Sequence, residues 1–418
     1  MGLSLRKNFA WAFVGNAINA FCMWLLLVIL AKISTVETVG VFSLAQAICV
    51  PISMLLSCKL QIIQVTDAKN DYDFGHYFGL KIIMAILAVI VSWVVGIWFY
   101  SAETTAIVAV LSINYAIISI REVFLGLMQK SERMDKVSIS NILLGVFSSV
   151  FFAVFFIVTK SLIWGIWGLV LSRILTIVIY DMPVSKPLFF SSLEERVGKL
   201  FRPSFDKKIL HLAWLAIPLG IVAWFTSLLT SVPRILLEKH CGMAEVGYFG
   251  AISSLLVIGT MFTAALGQAA SPRLAMYFFS DKKAYTRLLG KLLAIGCLIG
   301  IIGIVISLLW GKTILTLLFT PEYAEYKNIF VGVMFAGAIL VLFSFMNIGL
   351  TAMRSFKVQL IIYGLALLVC LAISFIFIPK YGMAAAIWAV ILSYLVGFVG
   401  CGLVIYMNIK KRGISKYV

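Results

Sequence analysis

The sequence predicts an all-α polytopic membrane protein with about twelve transmembrane helices, and three observations lead to that prediction. First, 62% of the 418 residues are hydrophobic and only 12% are charged, with a mean hydropathy of +1.08, which is more apolar surface than a soluble core can bury. Second, the apolar residues fall into runs of about 20, the length that crosses one bilayer as a helix. Third, Lys and Arg are dense in every second connection between these runs, as in cytoplasmic loops.

Each apolar run is expected to be a helix rather than a barrel strand. In lipid, every backbone N–H and C=O needs a partner within its own segment, and the runs are too long and too uniformly apolar for barrel strands. The first run follows Arg6 and Lys7 and is expected to be a retained span, because no small-residue cleavage site follows it. The predicted spans lie near residues 9–31, 39–58, 79–100, 105–128, 138–159, 162–180, 209–231, 246–270, 288–310, 328–350, 358–378 and 383–407.

Residues 181–208 form the one long stretch that is too polar for the bilayer, and we expect them to be an exposed cytoplasmic linker. They mix acidic and basic residues with three prolines, which break up regular elements. The chain is therefore predicted to consist of an N-terminal lobe (1–180, helices 1–6), this linker, and a C-terminal lobe (209–418, helices 7–12). The alternation of Lys and Arg predicts that the linker and both termini are cytoplasmic.

The two lobes are predicted to be parallel copies of one another. Residues 30–45 (LAKISTVETVGVFSLA) align without a gap with residues 237–252 (LEKHCGMAEVGYFGAI), which pairs Gly40 with Gly247. Six spans in each half give both copies the same orientation, so the repeats are expected to be related by an axis normal to the membrane. A central cavity between two such lobes is the expected working site.

Composition argues against several other functions. The net charge of +17 would suggest nucleic-acid binding in a soluble protein, but an excess of Lys and Arg is also what cytoplasmic loops carry, so no nucleic-acid partner is predicted. The seven cysteines are scattered in or beside apolar runs without a CxxC pair, so neither disulfides nor a metal site is predicted. The three histidines are far apart, and no catalytic residue and no cofactor is predicted.

Several stretches carry a family likeness: the VGVFSLAQAI and VGYFGAISSL blocks after helices 1 and 7, GLMQKSERMDKVSISNIL after helix 4, LLFTPEYAEY after helix 9 and IPKYGMAAAIWAVILSY entering helix 12. In order and spacing they resemble the polysaccharide-transporter branch of the multidrug/oligosaccharidyl-lipid/polysaccharide exporter superfamily, and they look most like bacterial O-antigen flippases of the Wzx type. The resemblance implies a multi-pass protein of the bacterial inner membrane that flips undecaprenyl-pyrophosphate-linked oligosaccharide by alternating access, for O-antigen, lipopolysaccharide or related polysaccharide synthesis. It also implies that helices 1, 2, 7 and 8 line the cavity, and that the partners are this lipid-linked oligosaccharide, membrane lipids and other polysaccharide-assembly proteins.

A pyrophosphate headgroup requires Arg or Lys in a partly dry cavity, and two arginines lie inside predicted spans. Arg173 lies about 12 Å inside helix 6 at about 1.5 Å per residue, and Arg121 lies in helix 4 beside Glu122. A cation at mid-bilayer costs about 2.5–3.5 kcal/mol on insertion scales, so each arginine needs a substrate or a protein partner. For Arg121, snorkelling to the interface or pairing locally is the alternative. Further cationic candidates lie at the predicted inner mouth (Lys59, Lys81 and Arg273) and outer mouth (Lys32, Arg234 and Lys239).

Glu122 is the one acidic residue well inside a predicted span, which makes it the candidate for proton coupling, although Arg121 beside it could simply neutralise it. So few acids within the spans favour an anionic substrate over a cationic drug. Four polar residues on the helices assigned to the cavity could bind sugar hydroxyls, or could instead form hydrogen bonds between helices: Asn16, Asn19, Gln46 and Gln268.

Two alternatives to flipping stay open. A membrane-embedded polysaccharide polymerase would need a catalytic domain or a large external loop, whereas the predicted external connections are short. Another exporter of the same superfamily, for a drug or a different polysaccharide, would share the fold. The protein is accordingly expected not to be an enzyme.

Overall fold

The computed structural model describes residues 5–67, 71–189, 203–353 and 355–414, and helices account for almost all of them. The first eight helices are α1 Leu5–Ile33, α2 Val36–Ser57, α3 Leu60–Thr66, α4 Phe74–Phe99, α5 Ala102–Lys130, α6 Met134–Thr159, α7 Leu162–Thr176 and α8 Met182–Phe189. The remaining six are α9 Lys207–Cys241, α10 Met243–Ser254, α11 Leu256–Ser280, α12 Lys282–Leu318, α13 Lys327–Ala352 and α14 Phe356–Ile414.

About twelve segments of these helices are long and apolar enough to cross a bilayer. In the described residues ten helical segments meet that condition, some of them running through a short break such as that between α2 and α3, and α10 with the first part of α11 makes an eleventh when this bent pair is counted as one span. A twelfth comes from α14, whose 59 residues are interrupted at Gly382, where φ is 54°, because each side of that break is long enough for a span of about 20 residues. The prediction of an all-α polytopic fold is therefore confirmed, whereas the cytoplasmic location of the termini stays a prediction.

Packing divides the chain into two compact units. The first consists of Met1–Ile33 and Leu44–Ser227, and the second of Ser34–Ser43 and Leu228–Val418. Within the first unit α1 packs on α6, α4 on α5, and α6 on α7, and within the second α13 packs on both α12 and α14. Helices α2 and α9 each contribute one part to each unit. The lobe boundaries at residues 181–208 stay a prediction.

The repeated sequence blocks meet inside the second unit at a close helix crossing. A Cβ on Gly40 of α2 would lie 2.1 Å from the carbonyl oxygen of Met243, and a Cβ on Gly247 of α10 would lie 2.2 Å from the carbonyl oxygen of Val36. The alignment that pairs Gly40 with Gly247 also pairs Val36 with Met243, so each contact is the repeat of the other. Small residues let membrane helices approach closely, and a reciprocal contact of this kind is what a local two-fold axis between repeats produces.

The helical structure continues into the predicted linker. After α7 the chain makes a π-helical turn, Ile177–Asp181, and enters α8, which runs to Phe189. Asp181 is fully buried, so the prediction of an exposed linker is wrong at this residue, because its carboxylate has a cationic partner inside the protein. Residues 190–202 of the predicted linker lie outside the described residues.

The residues at the start of α9 form hydrogen bonds with residues at the start of α4. Nε2 of His76 lies 2.9 Å from Oδ2 of Asp206, and the hydroxyl of Tyr72 lies 2.5 Å from Nδ1 of His211. The backbone N–H of Asp73 donates to Nδ1 of His76, so Nδ1 carries no proton and Nε2 donates to Asp206. This hydrogen bond holds the pKa of Asp206 below its usual range. The first turn of α9 therefore belongs to the first unit through polar as well as apolar contacts.

Candidate functional site

Buried Lys, Arg and Asp side chains are concentrated in the first unit. Four of them are buried there, on α4, α5, α7 and the π-helical turn: Lys81, Arg121, Arg173 and Asp181. The buried polar side chains described in the second unit are all uncharged. Because burying a charge costs several kcal/mol unless the charge is compensated, the partners of these four residues define the candidate site.

Lys81 forms a buried ion pair with Glu122. Its Nζ lies 2.7 Å from Oε2 of Glu122 and also donates to the carbonyl oxygen of Ser57 at 3.0 Å and to the hydroxyl of Ser119 at 3.2 Å. Ser57 ends α2, where the last carbonyls lack partners within the helix, so the ammonium also satisfies a helix end. Lys81 is 0% exposed, whereas the Glu122 side chain is 29% exposed. The pair therefore joins a fully buried cation to a partly exposed carboxylate.

Arg121 pairs with Asp181 and not with its neighbour Glu122. Its Nε lies 2.9 Å from Oδ2 of Asp181, and its Nη2 donates to the hydroxyl of Ser140 and, at 2.9 Å, to Oδ1 of Asn141. Ser140 donates in turn to the second carboxylate oxygen of Asp181. Successive residues on a helix point about 100° apart, so Arg121 and Glu122 face different neighbours, and each forms its ion pair with a residue on another element. Arg121 has its own counterion inside the protein.

Arg173 is a buried cation without a counterion. It is 4% exposed, its Nη1 donates to the hydroxyl of Ser148, and its Nη2 lies 3.7 Å from Sδ of Met23. Its Nε has no hydrogen-bond partner, and none of the ion pairs in the described part of the chain includes it. Ser148 is also bonded to the carbonyl of Leu144 and to the hydroxyl of Ser172. A hydroxyl and a thioether do not balance a full charge, so this arginine is a functional candidate by default.

One face of α1 presents polar groups to the same region. Asn16, Asn19 and Met23 are spaced by three and four residues, which places them on one face of the helix. Oδ1 of Asn16 accepts a hydrogen bond from Nδ2 of Asn141, the residue that also binds Arg121, whereas Oδ1 of Asn19 is buried without a partner. Two of the predicted sugar-binding residues thus lie on the helix face whose Met23 contacts Arg173.

The remaining predicted site residues are more accessible. They are exposed or half-buried: Lys32, Lys59, Arg234, Lys239, Arg273 and Gln46. Lys59 lies at the break between α2 and α3 and has a φ of 49°, in the left-handed region. The side chain of Gln268, on α11, lies outside the described residues. Since a cation in contact with water or headgroups needs no buried partner, the accessible lysines and arginines are weaker candidates than Arg173.

One member of the buried cluster, Asp181, is absent from the predicted set, and Lys81 is predicted at the inner mouth rather than in a buried ion pair. Hydropathy places Lys81 at the inner mouth and Asp181 in the linker, because charged residues mark the apparent ends of apolar runs. A signal for Asp181 was present, since Arg121 inside a span needs an acid and Asp181 directly follows the run 162–180. For Lys81 the signal is its position on the face of α4 that carries the small buried residues of that helix.

Comparison with known sequences identifies the relatives of the chain. The family described as polysaccharide biosynthesis protein matches residues 5–278. The chain is 31% identical over 399 residues to the capsular polysaccharide biosynthesis protein CapF of Staphylococcus aureus, and the alignment covers 94% of this chain and 97% of CapF. A match of this extent shows common family membership.

Solved structures with the same fold include a flippase and a transporter. The lipid II flippase MurJ in an inward closed conformation has a TM-score of 0.70 at 13% identity, covering 95% of this chain and 88% of MurJ. An inward-facing multidrug resistance MATE family transporter of the MOP superfamily has a TM-score of 0.64 at 12% identity, covering 98% and 97%. At such identity the likeness shows the fold alone. With the family match and CapF, it confirms the resemblance to the polysaccharide-transporter branch of that superfamily. The chain belongs to the polysaccharide biosynthesis protein family.

Proposed function

We propose that this protein flips a lipid-linked polysaccharide precursor across a membrane. Its family membership, its likeness to CapF and the fold that it shares with the lipid II flippase MurJ support this function. In finer terms, the proposed substrate is an oligosaccharide repeat unit on undecaprenyl pyrophosphate. It moves by alternating access from the inner to the outer face of the bacterial inner membrane, for O-antigen or a related surface polysaccharide such as a capsule.

The observation that carries the proposal is the missing counterion of Arg173. Its Nε is free, and its two other nitrogens contact only a hydroxyl and a thioether. A guanidinium can hold two phosphate oxygens with parallel N–H bonds, which are stronger than bonds to neutral acceptors. The pyrophosphate of the substrate would therefore act as the counterion of Arg173. Ser148 and Met23 would hold the Arg173 side chain in place when substrate is absent.

The polar face of α1 would receive the groups next to the pyrophosphate. The unpartnered Oδ1 of Asn19 can accept a hydrogen bond from a sugar hydroxyl. Asn16 is already engaged by Asn141, so its role in this proposal is to tie α1 to the Arg121 network. That network, closed by Asp181, is structural and joins α5 and α6 to the turn that follows α7.

The Lys81–Glu122 pair is the proposed proton-coupling element. Protonation of the partly exposed Glu122 removes the negative half of the pair and leaves the buried ammonium of Lys81 with only the oxygens of Ser57 and Ser119. Because an uncompensated buried charge is costly, proton binding would weaken the contact among α2, α4 and α5. Movement of these helices would then be linked to protonation.

Purified protein in sealed vesicles, supplied with labelled lipid-linked oligosaccharide on one side, tests the function. Movement of label to the other side without new glycosidic bonds is the expected result. A polymerised product would identify a polymerase instead, and an unchanged distribution would contradict flipping. Arg173→Lys should slow movement and Arg173→Ala should abolish it at equal protein amount, whereas Arg287→Ala, at an exposed arginine on α12, is the matched control.

A further inference from the structure

An aromatic cluster lies in the second unit where α12 gives way to α13. The connection contains a three-ten helix, Pro321–Tyr326, that packs against α10 through tyrosine rings. The rings of Tyr248 and Tyr326 stack with centroids 4.1 Å apart, and the ring of Tyr323 meets Tyr248 edge to face at 4.9 Å. Phe319 extends the cluster, 5.0 Å from Tyr323. This group, called here the tyrosine cluster, comprises Tyr248, Phe319, Tyr323 and Tyr326.

Carboxylates surround the tyrosine cluster. Glu37, Glu322 and Glu325 are exposed, and none of them takes part in an ion pair within the described part of the chain. All three lie close enough to the hydroxyl of Tyr248 to interact with it electrostatically, and Glu322 and Glu37 interact likewise with the hydroxyl of Tyr323. The cluster therefore combines apolar ring surface with a local excess of negative charge in a protein whose net charge is +17.

Two buried hydroxyls in this connection lack partners. Tyr323 is 0% exposed and its hydroxyl makes no hydrogen bond, and the hydroxyl of Thr320 is also buried and unpartnered. A buried polar group without a partner costs about 1–3 kcal/mol, and native structures contain few of them. Tyr323 directly follows Glu322 in the three-ten helix, and its hydroxyl interacts electrostatically with Glu322 and Glu37, so this unpartnered hydroxyl belongs to the same acidic cluster.

The chemistry of the cluster restricts what can bind there. Carboxylates only accept hydrogen bonds, so the ligand must be rich in donors, and their charge excludes an anion such as pyrophosphate. No group of three potential metal ligands exists among the described residues, which argues against a metal ion. Tyrosine rings offer an apolar face with a polar edge. A sugar ring has both complementary features, an apolar C–H face and several hydroxyl donors.

We propose that the tyrosine cluster and its three glutamates form a binding subsite for the neutral oligosaccharide portion of the substrate. This inference rests on the proposed function. It adds that the neutral part and the charged part of the substrate bind to different groups of residues. The glycan would be held by an acidic aromatic surface, whereas the pyrophosphate requires a cation such as Arg173. The connection between α12 and α13 is one of those predicted from Lys and Arg density to face the outer side, so the subsite would receive the glycan on its way out.

Binding to the full-length protein in nanodiscs tests the subsite with two probes. One is the lipid-linked repeat unit extracted from the cells that produce the protein, and the other is undecaprenyl pyrophosphate without sugars. We expect Tyr326→Ala, and the pair Glu322→Gln with Glu325→Gln, to weaken binding of the first probe about tenfold or more, as at a binding hot spot. Binding of the second probe should not change. Tyr326→Phe, which keeps the ring, should bind the first probe more tightly than Tyr326→Ala.

Two exposed residues provide matched controls. Tyr381, 65% exposed beside Gly382, and Glu103, exposed at the start of α5, should tolerate Tyr381→Ala and Glu103→Gln without change in either affinity. Equal loss of both probes in the cluster variants, or no loss of the glycan-bearing probe, would overturn the subsite while leaving the proposed function intact. Displacement of the glycan-bearing probe by tetramethylammonium would overturn it in favour of a cation site. If the wild-type protein binds neither probe, the proposed function fails, and the subsite with it.

Discussion

Replacing Arg173 with methionine separates the functional from the structural role of this buried cation. The substitution removes a charge whose insertion costs about 2.5–3.5 kcal/mol, and it removes a charged hydrogen bond to Ser148 that is worth about 1.5–3 kcal/mol. Ser148 keeps its bond to the carbonyl of Leu144, and no carboxylate loses a partner. Because the two contributions largely cancel, the free energy of unfolding should fall by no more than about 0.5 kcal/mol and could rise by up to about 2 kcal/mol.

Arg121→Met is the matched control, since it makes the same change at the other buried arginine. Arg121 has a counterion, and its removal leaves the fully buried Asp181 without one. Breaking a buried ion pair in this way costs about 3–5 kcal/mol. We therefore expect Arg121→Met to reduce the amount of folded protein strongly and Arg173→Met to leave it near the wild-type level.

Thermal unfolding in detergent and flipping in vesicles complete the comparison. Arg173→Met should unfold near the wild-type temperature while flipping falls at least about tenfold, which corresponds to losing about 1.4 kcal/mol of contact with the substrate. Wild-type flipping by Arg173→Met would refute the substrate role. If Arg173→Met destabilises the protein as much as Arg121→Met does, the role of Arg173 is structural.

Three further predictions concern packing, coupling and pH. Gly40→Ala should lower the unfolding temperature, because the new Cβ would overlap a carbonyl oxygen of α10 at a cost of about 1–3 kcal/mol. Gly290→Ala is the control and should leave the unfolding temperature unchanged, because the space around its new Cβ is open. Equal effects of the two substitutions would contradict the close helix crossing. In the same measurement, Glu122→Ala should destabilise the protein more than Lys81→Met. Glu122→Ala leaves a fully buried cation unpaired, whereas Lys81→Met leaves a partly exposed carboxylate. The reverse order would contradict the ion pair as described. The pKa of Asp206 is lowered in the folded protein, so its stabilisation is present above its unfolded pKa of about 3.9 and is lost as pH falls through the folded pKa. Asp206→Asn should remove this part of the pH dependence of thermal unfolding, and identical profiles for both proteins would argue against the bond to His76.

The spans and the repeat could be predicted because each depends on a local pattern. A helix in lipid needs an apolar run of known length, so composition alone locates most spans. The pairing of Gly40 with Gly247 was visible as an ungapped alignment, and both glycines turn out to be required where their helices cross. The contact itself was not predicted, since an alignment reports equivalence between positions and not proximity.

The buried ion pairs show where a local pattern stops being informative. Arg121 and Asp181 are 60 positions apart in the chain, and only the packing of α5 against the π-helical turn brings them together. Lys81 and Asp181 both look like residues at span ends, because a hydropathy window cannot tell a helix end from a buried charge with a partner. The depth of Arg173 in its predicted span identifies it as a candidate, but its lack of a counterion depends on how the helices around it pack.

The structure of the protein with a lipid-linked oligosaccharide bound tests the central claim most directly. The account predicts that oxygens of the pyrophosphate lie within about 3 Å of Nε and one Nη of Arg173, the distance of a charge-assisted hydrogen bond. A pyrophosphate held elsewhere, with Arg173 still bonded to Ser148 and Met23, would contradict it.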